Sequence, residues 1–272
     1  MSGSPQLLTG QGTVVFGGGR GIGRATALAL GAAGAAVAVV DLEAERAQAT
    51  AAELCELGAA AEAFPADVRA AGDIDRVLAA AAGQLGGIDT VVTVVGGMNA
   101  FAQFRNLHEY SDEEWELLLD VNIRYVFRVI RAAVPIMLAQ GRGGSIVSIG
   151  SISGAVSAPH HVPYGVAKAG LVNMARSVAA EYGRFGIRMN VVAPGSVDAP
   201  AVVRGQSDAD YAEMTAKIPL QRRGRPEDIA DVVVFFASPM SRYVTGQALV
   251  VDGGVSIRYP HLVRNGHPTE GG

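Results

Sequence analysis

The chain has 272 residues, 49% of them apolar and 18% charged, with a formal net charge of -4. That composition suits a packed globular protein rather than a disordered one, and without a run of Lys or Arg it lacks the electrostatic footprint of a nucleic-acid or anionic-membrane partner. Cys55 is the single cysteine, which excludes an internal disulfide and a cysteine-based zinc site, so no metal centre is expected and a reducing cytoplasm fits.

The segment from Met1 to Gly12 has no basic n-region or apolar h-region, and no apolar stretch approaches about 18 residues. Neither secretion nor a membrane span is expected, and small molecules are the expected partners. From Thr13 onward, short valine-rich runs alternate with longer alanine-rich amphipathic segments, the pattern of βα units around a parallel sheet. Strands are expected near 13-17, 36-41, 61-65, 88-94, 145-149, 187-193 and 247-252, and helices near 21-33, 43-58, 71-85, 112-140, 162-185 and 226-237. The strand runs are apolar without strict alternation, as strands covered by helices on both faces should be. The whole reads as one α/β domain over 1-272, with terminal extensions at 1-11 and 258-272.

The first strand runs into Phe16-Gly17-Gly18-Gly19-Arg20-Gly21-Ile22-Gly23 and then into a helix. A glycine-rich strand-to-helix turn lets a dinucleotide pyrophosphate approach the backbone and the positive helix start, where side chains would obstruct it. The second strand ends at Asp41, eighteen residues beyond Gly23, where a carboxylate can accept hydrogen bonds from the adenosine ribose. The same charge repels a 2'-phosphate, so NAD(H) is expected over NADP(H), with Arg20 as the counter-indication. After the third strand, Asp67 suits either the adenine border or a helix N-cap.

Further along, Ser111 and Glu114 have capping-box spacing. Ser151 follows the fifth strand, thirteen residues before Tyr164, with Ser148 and Ser153 as competitors on composition. Tyr164 and Lys168, four apart, share one helix face. An ammonium beside a phenol is expected to lower its pKa and let it exchange a proton with an alcohol or carbonyl oxygen. Val197 to Arg225 reads as a long connection of the kind that forms substrate loops. Pro226, Glu227 and Asp228 then open the last helix.

Taken together, these segments resemble the short-chain dehydrogenase/reductase family, and within it members like the 3-oxoacyl-(acyl carrier protein) reductases, from about Thr13 to Gly254. The resemblance is carried by the glycine loop, by Asn122 in Asp120-Val121-Asn122, by Ser151, Tyr164 and Lys168, and by Arg188-Met189-Asn190, Pro194-Gly195, Arg225-Pro226-Glu227-Asp228 and Asp252-Gly253-Gly254. It implies a Rossmann-type doubly wound sheet of about seven strands in the order 3-2-1-4-5-6-7. The implied activity is a secondary alcohol–ketone oxidoreductase. Tyr164 would be its general acid/base, Ser151 would bond the reacting oxygen, Lys168 would bind the nicotinamide ribose and tune Tyr164, and Asn122 would hold a relay water. The implied cofactor contacts are Gly17, Gly19, Arg20, Gly21, Ile22, Gly23, Asp41, Leu42, Asp67, Val68, Val95, Gly96, Tyr164, Lys168, Pro194, Gly195 and Val197.

Three positions depart from the family pattern: Phe16 stands in place of threonine, Thr93-Val94-Val95-Gly96 in place of Asn-Asn-Ala-Gly, and Ser196-Val197-Asp198-Ala199 follows Pro194-Gly195. An apolar contact between Phe16 and Val94 is expected to compensate for the first two. After the third, the Val197 backbone is expected to hold the carboxamide. The substrate pocket is expected to be mainly apolar, from Met98, Ser153, His160, His161 and Val202, with the two histidines serving as loop polar residues rather than bases. The resemblance further implies a homotetramer paired through helices 112-140 and 162-185, the first of which carries Val126, Val129, Ile130, Ala133 and Met137 on more than one side. Two other readings use the same motifs: an NAD-binding regulator without turnover, and a nucleotide-sugar epimerase or dehydratase.

Overall fold

The computed structural model describes residues 6–98, 100–198 and 207–257. Its seven strands are β1 (Gly12–Phe16), β2 (Ala36–Asp41), β3 (Ala61–Pro65), β4 (Thr90–Thr93), β5 (Gly144–Ile149), β6 (Ile187–Pro194) and β7 (Ala248–Val251). All pair in parallel, in the order β3-β2-β1-β4-β5-β6-β7. The order reverses between β1 and β4, which opens a crevice at the carboxyl ends of those strands, where such sheets bind ligands.

The helices are α1 (Gly21–Ala32), α2 (Ala44–Glu56), α3 (Ala71–Gln84), α4 (Asp112–Leu119), α5 (Tyr125–Gln140), α6 (Val162–Tyr182), α7 (Asp208–Ala216) and α8 (Pro226–Ala237). They cover the sheet on both faces. One core layer joins Val14, Phe16, Val40, Val91, Ile146 and Val191 to α3, α5 and α6. The other joins Val15, Val39, Val92, Val147 and Val192 to α1, α2 and α8. Successive strand residues point to opposite faces, so the apolar centres of β1, β4 and β5 are buried on both sides, and the polar Thr13, Thr90, Thr93, Ser145 and Ser148 in them are buried as well, because each face has its own helices. The edges depart from that expectation. In β3 only Phe64 is buried, and in β7 no residue is, since each edge strand has a neighbour on one side alone.

One further expectation is corrected and three gain detail. The helix expected over 112-140 is α4 and α5 joined by a π turn at Asp120–Arg124. The long connection after Val197 contains α7, whose N-cap Ser207 accepts from the Asp210 N–H. Its 199–206 portion, with Val202, lies outside the described residues, as do 1–5, Asn99 and the extension 258–272. Within the amino-terminal extension, Leu8 is fully buried and its N–H donates to the Ala33 carbonyl at 2.9 Å. Finally, Val126, Val129, Ile130, Ala133 and Met137 all lie in this chain's own core; the large apolar side chains that α5 and α6 expose are Phe127, Leu138 and Val166.

The Phe16–Val94 compensation takes another form. The Val94 N–H donates to the Phe16 carbonyl at 2.9 Å, but the side chains belong to opposite layers, Phe16 with Val40 and Phe64, Val94 with the α1 side.

α1 and α2 approach closely where Gly31 faces Leu54, and a Cβ on Gly31 would collide with Leu54 Cδ2. Leu54→Ala should cost about 2–5 kcal/mol. Gly31→Ala should be destabilising alone despite a helix-propensity gain of about 1 kcal/mol, yet neutral or stabilising in the Leu54→Ala background. Urea unfolding of the double-mutant cycle measures this; additive effects would refute the contact.

Candidate functional site

The site is assembled from segments that leave the carboxyl ends of β1, β2, β4, β5 and β6. At β1, the N–H groups of Gly17 and Gly18 both donate to the Val40 carbonyl, at 2.7 and 2.9 Å, folding the loop across β2. Gly17 has φ 87°, which favours glycine, and a Cβ on Gly23 would collide with the Gly17 carbonyl. Arg20 is exposed at the N-cap of α1 with no side-chain cap bond, and the first turn, including Gly21 and Ile22, has no acidic residue. The helix start is thus electropositive and lined by backbone. Asp41 closes the loop: its Oδ2 accepts the Gly19 N–H at 3.0 Å and its Oδ1 the Glu43 N–H at 3.2 Å. Leu42 beside it is exposed.

Asp67, next along, is committed elsewhere. Its carboxylate receives the Arg69 N–H and guanidinium, which hold it below the usual carboxylate range, while its own N–H donates to Asp73 at 3.0 Å. It does not cap α3, whose N-cap is Ala70. Val68 is buried beside it.

At β4 the chain turns through Val95, Gly96 and Gly97, the glycines at φ 141° and 131°. Two side chains from the helices hold this turn. The Tyr125 hydroxyl, kept protonated by burial, donates to the Val95 carbonyl at 2.8 Å. Asn122 accepts the Gly97 N–H at 2.9 Å and donates to the carbonyls of Gly97 and Leu118, both at 3.0 Å. Asn122 sits inside the π turn, where the altered ladder leaves backbone groups without their usual partners, and its amide satisfies one of them. A Cβ on Gly96 would lie 2.5 Å from Asn122 Oδ1 and 3.3 Å from Lys168 Nζ, so the three are adjacent and the turn admits no side chain.

At β5, Ser151 Oγ accepts the Ser153 N–H at 3.1 Å, which turns the chain into a short 3-10 segment toward α6. α6 opens with Pro163 in its first turn and brings Tyr164 and Lys168 together, with Nζ 5.5 Å from the phenol ring centroid. The Ser151 side chain neighbours the Tyr164 hydroxyl and acts to lower its pKa. Lys168 is 3% exposed and its Nζ donates to the Ile149 carbonyl at 2.9 Å.

The protonation states correct the expectation of an ammonium-lowered phenol. Burial raises the Tyr164 hydroxyl above the ordinary tyrosine range, and the Ser151 side chain opposes this only in part. Burial also lowers the Lys168 amine to about 7, so at neutral pH the charge that would stabilise a phenolate is itself only partly present.

At β6, Pro194 is buried and the Gly195 N–H donates to Val251 at 3.0 Å. Val197 is buried and bridged in parallel to Gly224 through the backbone of Ser196 and Asp198, which leaves its own amide on the opposite edge. Asp198 accepts from the Tyr211 hydroxyl at 2.7 Å and pairs with the buried Arg223 at 3.2 Å, tying α7 to this strand end. Around the mouth, Met98 is buried and Ser153 Oγ lies 3.1 Å from His161 Nε2. His160 is exposed, at φ 64°, and contributes its carbonyl to Tyr110 and Arg105.

Sequence reasoning missed Tyr125 and the Asp198–Tyr211–Arg223 cluster. A tyrosine on an apolar helix face reads as ordinary core, and the cluster spans an irregular segment with no period. Among the described residues no group of acidic, histidine or cysteine side chains could hold a metal ion, and no helix is long and apolar enough to cross a membrane. The glycine cradle, the uncapped helix start and Asp41 fit the pyrophosphate and ribose of a dinucleotide.

Comparison with known proteins agrees with this geometry. A family profile described as enoyl-(acyl carrier protein) reductase matches residues 17–256. The chain is 36% identical over 247 residues to 2-(S)-hydroxypropyl-CoM dehydrogenase 3 of Xanthobacter autotrophicus, covering 89% of this chain and 95% of that one. It is 35% identical over 243 residues to the 3-oxoacyl-[acyl-carrier-protein] reductase FabG of Staphylococcus aureus, covering 89% and 96%. A solved 7α-hydroxysteroid dehydrogenase, complexed with NADH and 7-oxo glycochenodeoxycholic acid, superposes with a TM-score of 0.86 at 28% identity, covering 92% and 95%. The chain belongs to the short-chain dehydrogenase/reductase family and is an oxidoreductase acting on CH–OH groups.

Proposed function

We propose that the chain is an NAD(H)-dependent enzyme that interconverts a small, partly apolar secondary alcohol and its ketone, with Tyr164 as general acid/base. The observation that carries this reading is the meeting of Ser151, Tyr164 and Lys168 at the end of β5, with Gly96 and Asn122 beside them and only β4 between them and the glycine loop.

Gly17–Gly23, Asp41 and Val95–Gly96 would hold a nicotinamide dinucleotide, which would supply or accept the hydride. The rest is the work of this chain. In reduction, the Tyr164 hydroxyl gives its proton to the substrate oxygen while Ser151 Oγ–H bonds that same oxygen; in oxidation, Tyr164 takes the alcohol proton. Lys168, titrating near neutrality, restores the proton balance of Tyr164. Asn122 has its amide engaged with Gly97 and Leu118, so its part in a proton relay beside Lys168 is to fix the turn after β4. Buried Val197 supports the carboxamide end with its outward-facing backbone.

Asp41 favours NAD(H). Its oxygens already take two N–H groups from the loop, and the remaining lone pairs suit ribose hydroxyls while the charge opposes a 2'-phosphate. Arg20 is the residue that would favour NADP(H), but Arg46, the other nearby cation, is paired with Glu43 at 2.7 Å. Exposed Phe127, Leu138 and Val166, together with Leu249 on the open β7 edge, support a homotetramer. The reading further assigns one catalytic domain with short extensions, a cytoplasmic setting, and no nucleic-acid or membrane partner.

Three measurements test the reading. Tyr164→Phe should retain NADH binding by fluorescence titration while turnover of ketones and alcohols, followed at 340 nm, falls by roughly a thousandfold or more; unchanged turnover removes Tyr164 from the chemistry. Asp41→Ala should narrow the NADH/NADPH preference by roughly tenfold, and a wild type that already prefers NADPH overturns the cofactor assignment. The third concerns Lys168, whose folded value lies below the unfolded one, so the unfolded chain binds more protons between about pH 7 and the ordinary lysine range. Cofactor-free Lys168→Met should therefore be more stable than wild type at pH 7 by on the order of a few kcal/mol, with the gap closing toward pH 10. A gap independent of pH would mean that the amine is not desolvated.

A further inference from the structure

We infer that Ser153 and His161 form a pair that reads a hydroxyl on the carbon next to the reacting one, making the substrate class a vicinal diol or its α-hydroxy ketone. The inference rests on the proposed alcohol–ketone chemistry and adds a substrate determinant to it.

The direction of two hydrogen bonds carries the argument. His161 Nδ1 lies 2.8 Å from the Pro159 carbonyl oxygen, which can only accept, so the ring proton is on Nδ1. In the neutral ring Nε2 then only accepts, and the group facing it at 3.1 Å is Ser153 Oγ. The hydroxyl proton of Ser153 is thereby committed to His161. What Ser153 offers a third group is lone pairs alone, which accept from a hydroxyl and repel a carbonyl or carboxylate oxygen.

The placement of that acceptor selects the substrate carbon. Ser153 N–H donates to Ser151 Oγ at 3.1 Å, and the Ser151 side chain neighbours the Tyr164 hydroxyl. The His161 ring centroid lies 6.0 Å from that of Tyr164, inclined at 39°. The Ser153 acceptor is therefore two residues from the hydroxyl proposed to bond the reacting oxygen and on the same side as the phenol. Vicinal oxygens are about a hydrogen-bond length apart, so a substrate oxygen on Ser151 and Tyr164 brings its neighbour to Ser153.

The pair is also held still. Phe104 meets the His161 ring edge-on at 5.3 Å and offers no competing hydrogen bond. The preceding His160 gives its carbonyl to the Tyr110 hydroxyl and the Arg105 N–H, both at 2.9 Å, which braces the turn that carries His161. His161 acts through Ser153 and is a positioning residue. The overall change remains carbonyl plus hydride plus one proton from Tyr164 giving the alcohol, with the neighbouring hydroxyl unchanged.

The test uses three probes on one scaffold: 3-hydroxybutan-2-one, butan-2-one and butane-2,3-dione, which present at the neighbouring carbon a donor, nothing and an acceptor. Full-length wild type, Ser153→Ala, His161→Phe and His161→Gln are compared by kcat/KM with NADH. Wild type should prefer the hydroxy ketone over butan-2-one by at least about tenfold. Ser153→Ala should bring that ratio toward one. His161→Phe releases the Ser153 proton and should raise the relative rate on the dione, whereas His161→Gln, which keeps an acceptor for Ser153, should retain most of the wild-type ratio. A wild-type ratio near one, or a ratio indifferent to Ser153→Ala, overturns the inference while leaving the oxidoreductase reading intact. Absence of turnover on all three probes with either nucleotide also overturns the inference, while the Tyr164→Phe comparison over other ketones and alcohols tests the underlying chemistry separately.

Discussion

Lys168 carries its amine into the protein at a place where burial, unrelieved by an opposing carboxylate, governs its protonation. Its Nζ donates to the Ile149 carbonyl at the end of β5, and it lies against Gly96 at the end of β4 and 5.5 Å from the Tyr164 ring centroid. These surroundings come from three separate stretches of chain, and they coincide only if β4 and β5 end level and α6 starts directly above them. An amine whose charge is costly in the cofactor-free chain gives up its proton readily near neutrality, which is what a proton relay requires. The same desolvation keeps Tyr164 protonated, so in the unliganded chain the pair is arranged to donate rather than to abstract.

Much of this was legible in the residues. The sheet is legible because a strand covered on both faces is mostly apolar, and the apolar centres of β1, β4 and β5 fit that pattern, their few Thr and Ser residues being buried too. The glycine loop and the Tyr164–Lys168 spacing are local patterns, and local patterns survive in one dimension. The sequence falls short in four places. Edge strands β3 and β7 break the apolar rule because they have one neighbour each. The π turn at Asn122 leaves the helical period on either side intact, so 112-140 reads as one helix. The Asp198–Tyr211–Arg223 cluster joins a strand end to α7 across a segment of no regular period. Surplus apolar residues on α5 misled for a different reason: this helix is clasped by α3, the sheet and α6, so residues on several sides are core in a single chain.

The departures at Phe16 and Thr93-Val94 look severe on paper, since polar positions beside the proposed crevice become apolar. The structure explains why the crevice keeps its shape. Phe16 turns away into the core layer with Val40 and Phe64, and only its backbone faces Val94. Thr93 satisfies its hydroxyl against Ser148 at 2.8 Å, within the sheet. The turn after β4 is then held by groups from outside it, the Tyr125 hydroxyl on Val95 and the Asn122 amide on Gly97. Asn122 lies within the π turn and Tyr125 directly after it, so the irregularity that sequence reading passes over carries both of them toward one loop.

Ser151 and Ser153 divide the work of two similar hydroxyls by their partners. Ser151 receives a backbone N–H, which occupies a lone pair and leaves its proton for Tyr164 or a substrate oxygen. Ser153 has its proton taken by His161, which leaves lone pairs. Composition could not separate them, because the difference lies in what each faces across the turn before α6. A donor and an acceptor two residues apart make a sharper description of a substrate than either would alone: an oxygen that gains charge during reduction belongs on the first, and a hydroxyl that remains unchanged belongs on the second.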